Sequence, residues 1–285
     1  MSIRLGNVPT IIVSSPKAAE QFLKAHDTNF ASRPKIQASE YIPYDTKSMA
    51  AFSEYGPYWS HVRKLCMQQH FCPATMEGFT PLRKEELERC ENIRVMKEDI
   101  TYKMVLGCKR DDRFDLKAVI EETFYLAGAF NISDFVPSLS ALDIYSARDY
   151  TQFVALFLIP RESIEDITMD GYGIPKKSRI IVNYWSIGRD PNGWSENVEE
   201  FYPERFMNSN INLWGHDFQL IPFGYGRRGC PGLQLGLTTI QLVVAQPVPY
   251  FNWELPTGML PQDLDMSENL AYQCQKPRPA QRAAT

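Results

Sequence analysis

The residues best suited to chemistry lie in one glycine-rich segment, Pro222–Gly236, with the sequence PFGYGRRGCPGLQLG. Its cysteine, Cys230, stands just before an apolar stretch with helical spacing. A thiolate is the form of cysteine that ligates a metal, and a helix amino end with two nearby arginines favours that form. The glycines let backbone approach a flat, bulky ligand and direct N–H groups at the sulfur. Arg228 is placed to meet an anionic group of such a ligand.

A buried cysteine beside a tight turn is the structural alternative, and it accounts for most lone cysteines. Here a longer pattern has all of its fixed positions: Phe223-x-x-Gly226-x-Arg228-x-Cys230-x-Gly232. This pattern resembles the haem-binding loop of the cytochrome P-450 family. The resemblance implies that Cys230 is the axial ligand of the iron of haem b. It also implies that the other four residues of the pattern form the cofactor site with it.

Two earlier stretches resemble the same family, in its usual chain order. Tyr55–Arg63 (YGPYWSHVR) contains Trp59 and Arg63, and their i, i+4 spacing puts them on one helix face. The family uses this pair against a haem propionate, although such a pair alone is more often an ordinary stacked surface contact. Leu158–Glu162 (LIPRE) resembles the strand whose basic residue meets the other propionate. Arg161 is therefore a further candidate for cofactor binding.

The plant microsomal A-type group of the family gives the closest resemblance. It rests on short strings that include FASRP at Phe30–Pro34, GRDP at Gly188–Pro191 and WELPTGMLPQDL at Trp253–Leu264. A further string, FYPERF at Phe201–Phe206, resembles the Pro-Glu-Arg-Phe element of the family as a whole. The resemblance implies a monooxygenase that oxidises a small apolar plant metabolite with dioxygen. It implies electrons from NADPH–cytochrome P-450 reductase, and placement of intact family members at the endoplasmic reticulum membrane.

The chain also departs from the family pattern. Family members of this group begin with a membrane anchor, and no anchor sequence is present here, so we expect a soluble chain. A deletion junction is expected near 143–153, where the family has several helices. No A-G-x-[DE]-T string occurs, and the Glu-x-x-Arg string Glu91–Arg94 comes too early in the chain. We therefore identify no catalytic acid–alcohol pair. In the family, the arginine that corresponds to Arg205 pairs with the glutamate and arginine of the Glu-x-x-Arg element. Without that element, we also expect Arg205 to turn to solvent or destabilise its loop.

Apolar periodicity and turn residues give the elements that would position these groups. The pattern predicts an α+β fold, mainly helical, which is an incomplete cytochrome P-450 fold with small β-sheets. It forms a single incomplete domain over residues 1–268, followed by a disordered tail over 269–285. The expected strands are Ser2–Leu5, Thr10–Val13, Ser163–Thr168, Tyr172–Ile174 and Arg179–Tyr184. The expected helices are Lys17–Lys24, one that begins at about Tyr58, Leu82–Leu106, Leu116–Phe130, and one from near Gly232 to Gln246. The last of these helices should bury a stripe formed by Leu233, Leu237, Ile240 and Val244.

Composition excludes two classes of partner. The formal net charge of −4, with no basic stripe, gives no reason to expect a nucleic acid. No apolar run approaches the roughly 20 residues that cross a bilayer, and the longest is Val154–Pro160. The cysteine spacings match no zinc site.

Three hypotheses for function follow. The first is an active haem-dependent monooxygenase. The second is a catalytically inactive truncated product, or a gene-model fragment, that retains the haem-binding loop. The third is a haem-binding or partner-binding module that competes for the reductase.

Overall fold

The structure is a computed structural model. It describes residues 1–36, 51–88, 99–100, 102–104, 107, 134–136, 158–194, 198–207, 209–214, 217–245, 255, 258–260 and 263. The chain divides into two compact units, one formed by Met1–Lys64 with Phe124–Cys230 and the other by Leu65–Thr123 with Pro231–Thr285. The helix expected at Leu116–Phe130, the junction near 143–153 and the tail at 269–285 lie outside the described residues.

The described part is a mixed α+β structure with small sheets, as predicted, and helix outweighs strand in it. The strands are β1 (Ser2–Leu5), β2 (Val8–Val13), β3 (Arg161–Glu162), β4 (Ile167–Met169), β5 (Tyr172–Ile174) and β6 (Arg179–Val182). The α-helices are α1 (Pro16–Glu20), α2 (Pro57–Leu65), α3 (Pro73–Gly78), α4 (Thr80–Glu88), α5 (Tyr184–Ile187) and α6 (Leu233–Ala245). Helix α1 continues as a π-helical turn at Gln21–Ala25, and α2 continues as another at Cys66–His70.

The first unit is organised by a four-stranded sheet in the order β1-β2-β6-β3. Strand β2 runs parallel to β6, with Thr10 opposite Arg179 and Val13 opposite Val182. Strand β3 lies antiparallel to β6, with Arg161 opposite Ile180. All four β6 residues are buried, which is typical of a strand covered on both faces.

Helix α1 begins as its sequence predicts. The Ser15 side chain accepts a hydrogen bond from the Ala18 N–H, and proline occupies the first helical turn. The buried side chains of Phe22 and Phe30 follow, with ring centres 4.8 Å apart. They join the core of this unit, whose buried members are Val13, Ala19, Phe22, Leu23, Phe30, Ile174, Ile180, Val182, Ile187, Phe218 and Ile221.

Strands β4 and β5 form a separate two-stranded hairpin. The bounds of β5 match the prediction, and Asp170 and Gly171 form the turn between the two strands. Both turn residues have positive φ, 51° and 81°, as the tight turn of a two-residue hairpin requires. The strand expected at Ser163–Thr168 is wrong in its bounds, because regular pairing occurs at β3 and β4 on either side of a bend.

Helix α6 is described as far as Ala245, and its predicted end at Gln246 lies outside the described residues. Its predicted buried stripe is wrong. Ile240 and Val244 are 53% and 55% exposed, and Leu233 and Leu237 are half-buried. Apolar spacing shows which face of a helix favours burial but not whether a partner covers it. No other described helix of the same unit packs extensively against α6.

The Pro203–Phe206 segment forms a 3-10 turn. The expectation that Arg205 turns to solvent or destabilises this loop is wrong. Arg205 does not turn to solvent but is half-buried. Its Nε donates to the Tyr202 carbonyl at 3.0 Å and its Nη2 to the Glu200 carbonyl at 2.9 Å. Two nearby backbone carbonyls thus bind this guanidinium, in place of the Glu-x-x-Arg element that the family uses.

Among the described residues, no helix combines the length and the apolar character that a bilayer crossing requires.

Candidate cofactor site

The loop that carries Cys230 is closed by its own backbone. Gly229 N–H donates to the Gly226 carbonyl at 2.9 Å, which forms a 3-10 turn over Gly226–Arg228. Cys230 N–H then donates to the Phe223 carbonyl, also at 2.9 Å. The Cys230 side chain remains exposed. The loop therefore fixes the cysteine backbone and leaves its thiol open to a ligand.

Glycine is required at position 226 for two reasons. Its φ is +68°, which favours glycine. A Cβ there would also lie 2.7 Å from Asp27 Oδ1 and 2.7 Å from the Leu23 carbonyl. The segment that follows α1 therefore packs directly against the loop, and only a residue without a side chain allows that approach.

Arg228 projects from the loop onto Trp59 of helix α2. Its guanidinium carbon lies 4.2 Å from the centre of the indole ring, and both side chains are buried. Its Nε donates to the Ala31 carbonyl and its Nη2 to the Ser53 carbonyl, each at 2.6 Å. The Trp59 ring and the carbonyls of Ala31 and Ser53 thus hold the guanidinium of Arg228, which lies two residues before Cys230.

Arg63 approaches the same indole ring from one helical turn further along α2. Its guanidinium carbon lies 5.6 Å from the ring centre of Trp59. Its Nη2 donates to the Gly229 carbonyl at 2.7 Å, next to Cys230 in sequence. The predicted common face of Trp59 and Arg63 is therefore turned towards the loop.

Arg161 reaches the loop from strand β3 and is almost fully buried. Its Nη2 donates to the Tyr225 carbonyl at 2.6 Å, and its Nη1 donates to Asp27 Oδ1 at 2.9 Å. Pairing of β3 with β6 sets this position, since Arg161 lies opposite Ile180 at the end of the sheet.

Gly232, the remaining residue of the pattern, belongs to the second unit. Its carbonyl accepts a hydrogen bond from Gly236 N–H at 2.9 Å, in the first turn leading into α6. The other seven predicted site residues lie in the first unit: Trp59, Arg63, Arg161, Phe223, Gly226, Arg228 and Cys230.

Sequence reasoning missed three charged residues at this site. Arg33 is buried, and it donates to the carbonyls of Ala51 at 3.0 Å, of Pro160 at 2.8 Å and of Ile159. Arg227 donates through Nη1 to Asp27 Oδ2 at 3.0 Å. The FASRP and GRRGC strings contain both arginines and offered a signal. Asp27 offered none, because its partners lie 134 and 200 residues away.

The buried arginines repel one another. The pKa of Arg33 is lowered well below its ordinary value by burial, and then by the charges of Arg161 and Arg228. Burial, followed by the charges of Arg161 and Arg63, lowers the pKa of Arg228 to about 10. Burial also lowers the pKa of Arg161, and Asp27 opposes that shift. Asp27 pairs directly with Arg161, and an anionic ligand would relieve the repulsion further.

These observations allow a test of whether the residues fit haem. Haem presents two carboxylates and an iron with an open axial position. The loop offers one accessible thiol and the surrounding elements offer clustered guanidinium groups. Within the described part of the chain, no group of three or more His, Cys, Asp or Glu residues forms a metal site by itself. The donor set fits a metal carried by an organic group with anionic arms.

Known proteins of one family are similar to this chain in sequence and in fold. The family model described as Cytochrome P450 matches residues 1–103 and 151–280. The chain is 36% identical to cytochrome P450 CYP736A12 of Panax ginseng, covering 94% of this chain and 83% of the relative. It is 25% identical to germacrene A acid 8-beta-hydroxylase of Helianthus annuus, covering 94% and 83%, and 25% identical to premnaspirodiene oxygenase of Hyoscyamus muticus, covering 94% and 82%.

A zebrafish cytochrome P450 solved with abiraterone has a similar fold. Its TM-score is 0.62 at 18% identity, with 86% of each chain covered. The alignment with the ginseng protein runs over 414 residues, more than the 285 of this chain. That relative therefore has internal residues without a counterpart here, and residues 104–150 fall between the two stretches that the family model matches.

Proposed function

Because this chain belongs to the cytochrome P450 family, we propose that it binds haem b with Cys230 as the axial thiolate and acts as a monooxygenase. The observation that carries the proposal is the convergence of Trp59, Arg63, Arg161 and Arg228 on the loop that ends at Cys230. Three segments distant in sequence, helix α2, strand β3 and the loop itself, contribute to one small region, and each brings a group suited to the same ligand.

Cys230 supplies the metal ligand. Its thiol is exposed, and the backbone bond to the Phe223 carbonyl holds the cysteine in a fixed turn. Arg63 donates to the Gly229 carbonyl and Arg228 stacks on Trp59, so both guanidinium groups are held at the loop that carries this sulfur. Haem, when bound, supplies a redox-active iron whose reactivity towards dioxygen a thiolate ligand tunes.

The arginines bind and orient the two carboxylates of haem. Charge-assisted hydrogen bonds from guanidinium groups are the strong directional contacts available for this purpose. Trp59 packs against Arg228 and leaves it little freedom to swing away. The arginines would therefore hold the carboxylates of haem, and the Cys230 thiolate would hold its iron.

The substrate we propose is a small apolar plant metabolite. Two of the relatives carry names that describe oxidation of such compounds, germacrene A acid and premnaspirodiene. Electrons would come from NADPH–cytochrome P-450 reductase, and the site of action would be the endoplasmic reticulum membrane. These partners follow from the family and not from any contact of the described residues.

A second candidate is a haem-binding product that does not complete turnover. The observation that favours it is the interrupted family match, which leaves residues 104–150 outside both matched stretches. We propose that a deletion junction near 143–153 accounts for the interruption. In that case the cofactor loop is retained while the region that supplies positioned acid catalysis is lost, a contribution of about 10²–10⁴-fold in rate.

The test is to express the chain with haem, reduce it, add carbon monoxide and record the absorption spectrum. A thiolate-type Soret band that disappears in Cys230→Ser and persists in the control Cys66→Ser would support the haem assignment. Turnover of an apolar terpene-like compound with the reductase would then separate the enzyme from the inactive product. A folded sample that takes up no haem would contradict both candidates.

A further inference from the structure

Asp27 lies at the centre of the contacts that hold the cofactor loop. Its Oδ1 accepts a hydrogen bond from Arg161 Nη1 at 2.9 Å. Its Oδ2 accepts from the backbone N–H and from Nη1 of Arg227, each at 3.0 Å. Asp27 is buried, so its charge is offset by these donors instead of by water. Both carboxylate oxygens are thus committed, one to strand β3 and one to the loop.

The absence of a side chain at Gly226 leaves room for this carboxylate. A Cβ at Gly226 would lie 2.7 Å from Asp27 Oδ1 and 2.8 Å from its carboxyl carbon. The carboxylate therefore sits where the side chain of residue 226 would otherwise be. This fit keeps Asp27 within reach of the Arg227 N–H, which lies one residue further along the loop.

The charge of Asp27 acts mainly on Arg161. Arg161 is buried close to Arg33 and Arg228, which carry the same charge. Its Nη1 is bound to Asp27, and its Nη2 to the Tyr225 carbonyl. Without the carboxylate, repulsion from the other two guanidinium groups would push Arg161 away from the loop. The side chain of Arg227 is 47% exposed, so solvent screens its share of the interaction.

We propose that Asp27 is a positioning residue for haem, acting by two separate routes. Through Oδ1 it holds the Arg161 guanidinium at the loop, where a carboxylate of haem would meet it. Through Oδ2 it fixes the Arg227 N–H, and with it the turn that presents the Cys230 thiol. The inference rests on the proposed haem-binding function and deepens it by assigning a role to a residue outside the loop pattern.

The test compares haemin titrations of the whole chain with spectra of its reduced carbon monoxide complex. Asp27→Asn is expected to weaken haemin binding about tenfold, the scale on which outer groups that orient the ligands of a bound metal act. It should also convert part of the thiolate-type Soret band to a thiol-type band. Asp166→Asn makes the same chemical change at an exposed carboxylate that accepts from the Lys176 N–H, and should alter neither readout.

A second pair of variants separates the two routes. Arg161→Gln should weaken haemin binding and keep the thiolate-type band. Adding Asp27→Asn to it should change the affinity by less than about twofold, since the first route is already lost, yet should bring in the thiol-type band. Because the double variant removes both charges of the buried pair together, it folds more readily than Asp27→Asn alone and carries the test if that single variant does not fold.

Wild-type affinity and a wild-type band in Asp27→Asn would overturn the inference while leaving haem binding in place. A further tenfold loss of affinity in the double variant would overturn the route through Arg161. Folded wild-type protein that binds no haemin would instead overturn the proposed function itself, so the two failures are distinguishable.

Discussion

The guanidinium carbon of Arg228 lies 4.2 Å from the centre of the Trp59 ring, and both side chains are buried. The stack joins the cofactor loop to helix α2, two segments far apart in sequence. Carbonyls of Ala31 and Ser53 complete the contacts of the same guanidinium. Apart from any ligand, this pair therefore makes a specific contribution to the stability of the first unit.

Replacing Trp59 should destabilise the protein strongly. Trp59→Ala removes a buried indole and its stack, so we expect the free energy of unfolding to fall by about 3–5 kcal/mol. Trp185→Ala is the matched control, because Trp185 also faces an arginine, Arg189, at 4.3 Å but is partly exposed. The control should lose roughly 0.5–1 kcal/mol. Urea unfolding followed by circular dichroism measures both, and equal losses would contradict the importance of the buried stack.

The arginine cluster should recognise the carboxylates of haem. Haemin dimethyl ester has the same ring and iron without the two negative charges. We expect it to bind at least about tenfold more weakly, since hydrogen bonds to charged groups contribute roughly 1.5–3 kcal/mol each. Absorbance titration of the wild type with haemin and with the ester gives the two dissociation constants.

The same preference should shrink when Arg228 is replaced. Arg228→Met keeps the bulk beside Trp59 and removes the charge, so the ratio of the two dissociation constants should fall towards one. A ratio unchanged by the substitution would show that the carboxylates are held elsewhere. Raised salt should weaken haemin binding more than ester binding, because salt screens only charged contacts.

Two glycines with positive φ should respond differently to alanine. A Cβ at Gly6 would collide with Val136 Cγ2 and lie 2.5 Å from the Phe135 carbonyl. A Cβ at Gly171 would have no described heavy atom within 4 Å. Gly171→Ala should cost only the backbone strain, about 1–2 kcal/mol. Gly6→Ala adds a steric clash of roughly 1–3 kcal/mol to that strain. Thermal unfolding of the two variants would reveal the difference, and similar melting temperatures would argue against the close contact at Gly6.

Glu162 should make stability depend on pH in the acid range. Burial raises the pKa of its carboxyl, and the ion pair with Lys177 opposes that shift only in part. A carboxyl with a raised folded-state pKa favours folding most below its unfolded pKa. That contribution is lost as the pH climbs through the raised value. Relative to wild type, Glu162→Gln should therefore gain stability as the pH rises from about 4.

Urea unfolding at several pH values between about 4 and 7 measures this difference in the free energy of unfolding. Glu199→Gln is the control, because the Glu199 side chain is 69% exposed and pairs with Arg189 at the surface. Its difference from wild type is the reference for that of Glu162→Gln. A difference for Glu162→Gln that does not change with pH would contradict the effect of burial.

Local sequence signals predicted some features well. The strand expected at Thr10–Val13 lies within β2, and the strand expected at Tyr172–Ile174 is β5. Short-range geometry decides both. The i, i+4 spacing of Trp59 and Arg63 was enough to place them on one face of α2. In each of these cases the deciding interactions lie within a few residues of one another.

Features that depend on distant contacts could not be predicted. Asp27 faces Arg161 and Arg227 across 134 and 200 residues, and a lone aspartate after a helix indicates nothing about such partners. The exposure of Ile240 on α6 is a similar case, because its apolar character shows a preference for burial, yet it is 53% exposed in the described part of the structure. Cysteine loops with fixed spacing are the exception, since one short pattern contains most of the chemistry.

The parallel pairing of Thr10 with Arg179 and of Val13 with Val182 has a consequence for biosynthesis. A chain leaving the ribosome carries β2 for most of its synthesis before the strand that completes its hydrogen bonding exists. Pairings so distant in sequence close slowly, since loop entropy is lost before any contact compensates for it. Assembly of the cofactor loop, which emerges later still, therefore comes at the end of folding. Nascent chains shorter than about 182 residues should bind chaperones through the edge of β2 that β6 later covers.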